Sequence, residues 1–214
     1  MSGIVVFGAG GRAGRRLVAE GRRRGHEVTA VVRDPAGHPG LAADGVRVVA
    51  GDATDPAGVA AAADGRDVIV SAAAVYGAGT DPDAFFTASS RALLAAARRP
   101  GVRRLVVVGL SALLADGAGT PLLDSAGIPA EARPFCLAHG AGLELLRAEG
   151  ADVDWLYASP AGDFDHDGER TGRYRVAEAG DLASRISYQD FAVALLDEIE
   201  TPRHHRTHLA LTAD

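Results

Sequence analysis

The stretch Ile4-Val5-Val6-Phe7-Gly8-Ala9-Gly10-Gly11-Arg12-Ala13-Gly14 decides the fold. An apolar strand runs straight into a glycine-rich loop, and a helix pattern follows at once, from Arg15 through Arg24. A strand, glycine loop and helix in this order form the unit that cradles a dinucleotide pyrophosphate. Gly8 lets the chain turn sharply out of the strand. Gly10 or Gly11 keeps side chains away, so backbone N–H groups can approach phosphate. Gly14 allows the helix to pack close on the strand. The helix N-terminus then offers unpaired N–H donors and a partial positive charge to the anion. The nucleotide-binding loop is therefore Gly8, Gly10, Gly11, Arg12, Ala13 and Gly14. The competing reading is an ordinary glycine-rich turn, which explains neither the strand before it nor the helix after it.

The rest of the chain agrees with such a start. Its 214 residues, 47% hydrophobic and 23% charged, suit one soluble α/β domain with a full core. A formal net charge of −6 argues against nucleic acid or an anionic membrane as partner. The single cysteine, Cys136, excludes an internal disulfide and fits a reducing cytosol. No apolar run approaches the length of a membrane span, and no signal-peptide pattern precedes the first strand. The expectation is a cytoplasmic protein, monomer or homodimer.

Apolar runs at residues 4–7, 28–32, 46–50, 68–71, 105–108 and 153–157 read as strands. Helix patterns lie between them at 12–24, 56–63, 84–98 and 138–148, and a last helix (189–199) and strand (207–211) follow. Strands alternating with helices predict a Rossmann-type, doubly wound parallel sheet in a single α/β domain over residues 1–214. Buried parallel strands read as continuous apolar runs, as IVVF and RLVVV do. Right-handed crossovers bring the C-terminal strand ends to one edge, where ligands bind.

Each strand end carries a feature. Arg33 and Asp34 follow the second strand. An acidic residue there suits the ribose hydroxyls of NAD, whereas an arginine suits the 2′-phosphate of NADP. Guanidinium matches phosphate geometry, and Arg12 is placed to reach the same group, so NADP is favoured while Asp34 keeps NAD open. After the third strand, Asp52 is placed to accept from the adenine amino group, with the Ala53 backbone beside it. Asp55 before Pro56 reads as a helix cap. After the fourth strand come Ser71, Ala72 and Ala73, small enough for the cofactor to cross the sheet edge.

These residues together resemble the atypical short-chain dehydrogenase/reductases, and within them the NADH-flavin reductase group related to NmrA-like proteins and biliverdin reductase B. The likeness is carried by Gly8-x-x-Gly11-x-x-Gly14, Val32-Arg33-Asp34-Pro35, residues 51–55 (GDATD), residues 67–71 (DVIVS) and residues 104–109 (RLVVVG). It continues through Asp154-Trp155-Leu156, Ser159-Pro160-Ala161 and Gly168-Glu169-Arg170-Thr171-Gly172. The resemblance implies the fold and a nicotinamide cofactor, and it implies the substrate poorly. It places Gly109 and Pro160 beside the cofactor and Ser111 near the nicotinamide. Many relatives carry a tyrosine and a lysine four residues apart on the next helix. Aligned on Glu144, those two positions are Cys136 and Gly140 here, so the pair is absent. His139 is then the titratable group left on that helix, a candidate proton donor or a packing histidine. Ser111 and His139 are the catalytic candidates.

The loop at 113–135 is long for a compact domain and reads as substrate wall, with Leu122, Leu123, Ile128, Phe135 and Tyr76 as apolar lining. The segment 159–187 is expected to shape the same pocket. Residues 163–168 (DFDHDG) begin like a calcium loop, but the twelfth position is Tyr174, so an acidic surface turn is the better reading. His204, His205 and His208 read as solvent-facing, without carboxylates to complete a metal site. The leading expectation is a reductase passing hydride from a nicotinamide to a flavin, a quinone or a similar conjugated acceptor. A tailoring enzyme for a specialised metabolite and a non-catalytic NADP(H) sensor are the alternatives.

Overall fold

The structure is a computed structural model that describes residues 1–125 and 127–214. Its strands are Gly3–Phe7 (β1), Glu27–Val32 (β2), Val46–Ala50 (β3), Val68–Ser71 (β4), Arg104–Val108 (β5), Trp155–Pro160 (β6), Asp163–Asp165 (β7), Arg175–Ala177 (β8), Arg185–Ser187 (β9) and Thr207–Thr212 (β10). The helices are Arg12–Arg23 (α1), Pro56–Ala63 (α2), Pro82–Ala97 (α3), Arg133–Glu149 (α4) and Tyr188–Glu200 (α5). The main sheet runs β3-β2-β1-β4-β5-β6-β10-β8, parallel throughout except for the edge strand β8. β7 and β9 pair separately as a small parallel ribbon.

Period-two alternation explains how one strand feeds two cores. Ile4 and Val6 of β1 face α1 and α5, with Leu17, Phe191 and Leu195. Val5 and Phe7 face α2, α3 and α4, with Leu93, Leu143 and Trp155. Both faces are covered, so β1 is apolar at every position from Ile4 to Phe7. Acidic and hydroxyl caps start three of the helices. Asp55 accepts from Ala57 N, Asp81 from Ala84 N and Ser187 from Asp190 N. The strand order reverses direction between β1 and β4, and a crevice opens at such a switch point, beyond the C-terminal strand ends.

Three features differ from the expectation. α4 begins at Arg133, five residues before 138, because Pro134 sits in the first turn, where its missing N–H costs nothing. Phe135 therefore belongs to that helix. The remaining loop contains short 3₁₀ turns at Leu122–Asp124 and Ala130–Ala132, and residue 126 lies outside the described residues. β6 starts at Trp155, since Val153 is still closing a turn onto the Gly150 carbonyl. The segment 159–187 holds three short strands that no apolar run announced.

Candidate functional site

A cleft of about 290 Å³ lies at the switch point, lined by the ends of β1 to β4 and by Gly10, Gly11 and His38. Gly8 adopts φ +72°, and a Cβ there would stand 2.6 Å from the Ala72 and Ala73 backbone. A Cβ on Gly14 would collide with the Gly8 carbonyl, so α1 can approach β1 this closely only with glycine. Gly11 caps α1 without a side-chain bond, and no acidic residue stands in its first turn. The last turn holds Arg22 and Arg23, so the charges on the helix follow its dipole. A bare helix N-terminus above a cradle that side chains would fill fits a diphosphate.

On the β2–β3 side, Arg33 is exposed and lines the cleft, with Asp52 and the buried Ala53. The Asp34 carboxylate turns away and accepts from Ala36 N at 3.0 Å. Asp52 accepts from both Thr54 N and Thr54 Oγ1 at 2.8 Å, an Asx turn that fixes its orientation. Sequence reasoning missed His38. Its ring packs on Gly10, and its Nδ1 lies 3.1 Å from Arg15 Nη2. A guanidinium only donates, so Nδ1 accepts and Nε2 carries the proton over the loop. Arg12 does not join Arg33. Its Nη1 donates to His166 Nδ1 at 2.6 Å, on the segment that follows β6 and folds back over α1. That segment is tied down by Arg170 to the buried Glu20, and by Thr171 and Gly172 to the buried Asp190.

On the β4–β6 side, Ala72, Ala73 and Phe85 line the cleft, and Ser71 is buried just behind. Gly109 and Pro160 are buried at the ends of β5 and β6. Ser111 is half-buried and opens a 3₁₀ turn, Ser111–Leu113. His139 is 5% exposed, deeper than a surface helix position. Its ring lies 4.1 Å from that of Phe86, and its Nδ1 is hydrogen-bonded to the Tyr157 hydroxyl. Burial lowers its pKa to about 4, so it is neutral at pH 7. Burial likewise pushes the Tyr157 phenol up. Phe135 meets Tyr76 at 6.2 Å and Phe86 at 5.7 Å, an aromatic run beside the cleft. Leu122 is turned inward instead, into a small core with Leu114 and Ala161.

His205 is exposed, as expected, but the C-terminal histidines have carboxylate and hydroxyl partners that the sequence did not show. His204 pairs with the buried Glu198 at 2.7 Å, and His205 with Asp154 at 2.8 Å. His208 is half-buried, and its Nε2 lies 2.7 Å from Ser159 Oγ. Glu198 and Asp154 also hold the buried Arg104, which explains these carboxylates without a metal.

A family model described as NAD(P)H-binding matches residues 8–202. The uncharacterised protein YwnB of Bacillus subtilis is 32% identical, over 99% of this chain and 98% of that protein. A provisionally assigned exported protein from Burkholderia pseudomallei superposes with a TM-score of 0.82 at 38% identity, covering 99% of this chain and 100% of the other. A provisionally assigned NADH-flavin reductase from Streptococcus pneumoniae does so with a TM-score of 0.81 at 32% identity, covering both chains fully.

Proposed function

Because the chain belongs to the NAD(P)H-binding family, we propose that it is an NADPH-dependent reductase acting on a flavin, quinone or similar conjugated acceptor. Gly8, Gly10, Gly11, Ala13 and Gly14 would hold the diphosphate, and Asp52 and Ala53 the adenine. Arg33 would take the 2′-phosphate. The support for NADP over NAD is that Arg33 faces the cleft while Asp34 is spent on its own turn. A nicotinamide bound there would supply hydride to an acceptor seated beside the ends of β4, β5 and β6.

The observation that carries the choice of acceptor is the missing tyrosine–lysine pair that many relatives use to deliver a proton. The sequence contains no lysine, so a tyrosine–lysine pair cannot form anywhere in the chain. His139 is neutral and its Nδ1 is taken by Tyr157. A conjugated acceptor suits such a site, because its reduced form is a stabilised anion that takes its proton from water. Ser111 would orient the acceptor by hydrogen bonding. Residues 113–135 and 159–187 would wall the pocket, with Tyr76 and Phe135 offering flat apolar surface. The name of the pneumococcal neighbour supports this reading. The cytosol fits the reduced, buried Cys136, although one similar structure is named as exported, and fractionation decides between them.

The test is NADPH oxidation followed at 340 nm with free FMN and with a simple quinone. Turnover with either supports the proposal. Binding of NADPH without any turnover would instead favour a sensor.

A further inference from the structure

The turn at residues 109–113 carries Ser111, and it rests on polar groups. Gly109 lies so tightly on the Tyr157 ring that a Cβ would overlap it, and that Cβ would come within 2.6 Å of Ser159 Oγ. The Tyr157 hydroxyl is bonded to His139 from α4. Ser159 is bonded to His208 from β10. Tyr157, Ser159 and His139 are all buried. Both imidazoles are held neutral by burial. At the far end of the turn, Leu113 packs on α4 over Gly140, where a Cβ would stand 3.2 Å from Leu113 Cδ2.

A buried hydroxyl–imidazole pair, Tyr157–His139, with a second, part-buried pair, Ser159–His208, beside it, is a costly support. Phenylalanine and leucine would fill the space without desolvating polar groups, and such replacements are often neutral or stabilising. What a hydrogen-bonded pair adds is a single direction for the ring. We infer that Tyr157, held by His139, is a positioning residue that fixes the turn at residues 109–113, and with it Ser111, against the reacting end of the cleft. This rests on the reductase reading, in which that turn borders the nicotinamide.

The experiment compares Tyr157→Phe, His139→Asn and the double variant Tyr157→Phe/His139→Leu with the unaltered protein. Three quantities are read: stability in urea, amide exchange of residues 109–113 in the NADP-bound protein, and FMN-dependent NADPH oxidation. Tyr157→Phe is expected to speed exchange at 109–113 roughly tenfold, leaving the rest of the sheet unchanged. It should lower kcat about tenfold with KM for NADPH within about twofold. His139→Asn keeps a hydrogen-bonding amide opposite the Tyr157 hydroxyl and should keep kcat within about threefold of the unaltered enzyme. The double variant should recover stability, since both partners are apolar, while kcat stays low and exchange stays fast. Recovery of kcat together with stability would show a structural role alone and overturn the inference. So would exchange at 109–113 no faster than elsewhere. If the unaltered protein oxidises no NADPH with either FMN or a simple quinone, the reductase reading fails, and the exchange measurement still decides the role of Tyr157.

Discussion

Lowering the pH from 7 to 5 should destabilise this protein through His139 more than through an ordinary histidine. In the folded state burial holds its pKa at about 4, against 6.5 for a free imidazole. The unfolded chain therefore binds the proton first, and the folded state does not follow until pH 4. Between pH 6.5 and 4 the unfolded state carries more protons, so stability falls as pH falls. Above pH 6.5 neither state is protonated and the effect vanishes. Integrating these two values gives a loss of about 2 kcal/mol at pH 5, approaching about 3.4 kcal/mol below pH 4. Tyr157, Phe86 and Phe135, whose rings face the imidazole, do not titrate in this window; His208 beyond Tyr157 does, and it is present in both proteins compared. The assay is urea unfolding at pH 7, 6 and 5, followed by the fluorescence of Trp155, the single and buried tryptophan. His139→Asn serves as the reference, because the asparagine amide can hydrogen-bond the Tyr157 hydroxyl in either direction without titrating. The unaltered protein should lose about 2 kcal/mol more than the variant between pH 7 and 5. Equal pH dependence in the two proteins would mean that His139 takes up its proton as readily in the fold as in the unfolded chain, and burial would not be depressing its pKa.

Arg33→Ser should weaken NADPH binding roughly tenfold or more while leaving NADH within about threefold, as measured by calorimetry, because only the 2′-phosphate is lost as a partner. Gly8→Ala should abolish cofactor binding and destabilise the fold. The positive φ alone costs about 1–2 kcal/mol, and the methyl would also strike the Ala72–Ala73 backbone; a thermal shift with and without NADP reads both effects. Glu20→Gln should cost about 1–3 kcal/mol, since Glu20 is buried and pairs with Arg23, Arg24 and Arg170, while those arginines are partly solvated or keep other carboxylates. Limited proteolysis should then cut first within residues 163–175, which Arg170 ties to α1.

The opening strand, loop and helix were legible because backbone geometry demands glycine there, and no side chain substitutes at Gly8 or Gly14. The buried parallel strands were legible because both faces are covered, which leaves an uninterrupted apolar run. β7, β8 and β9 were not. Each is three residues long; β7 and β8 are largely exposed and β9 buries a single apolar residue, Ile186, so neither periodicity nor hydrophobicity marks them. The start of α4 was readable in principle, since Pro134 is as much a first-turn residue as a loop residue. Arg12 shows the deeper limit. Its sequence neighbours are the phosphate loop, but its partner is His166, brought in by the chain's return after β6. The same holds for His139 with Tyr157 and His208 with Ser159. Local pattern identifies a titratable residue, and only the fold says which group neutralises or orients it.

The central claim is that the cleft between β1 and β4 holds a reduced nicotinamide dinucleotide with its 2′-phosphate on Arg33. Calorimetric titration of the purified protein with NADPH and with NADH tests it most directly. The account predicts one NADPH bound per chain, at least about tenfold more tightly than NADH. No heat of binding for either nucleotide, or tighter binding of NADH, would contradict it.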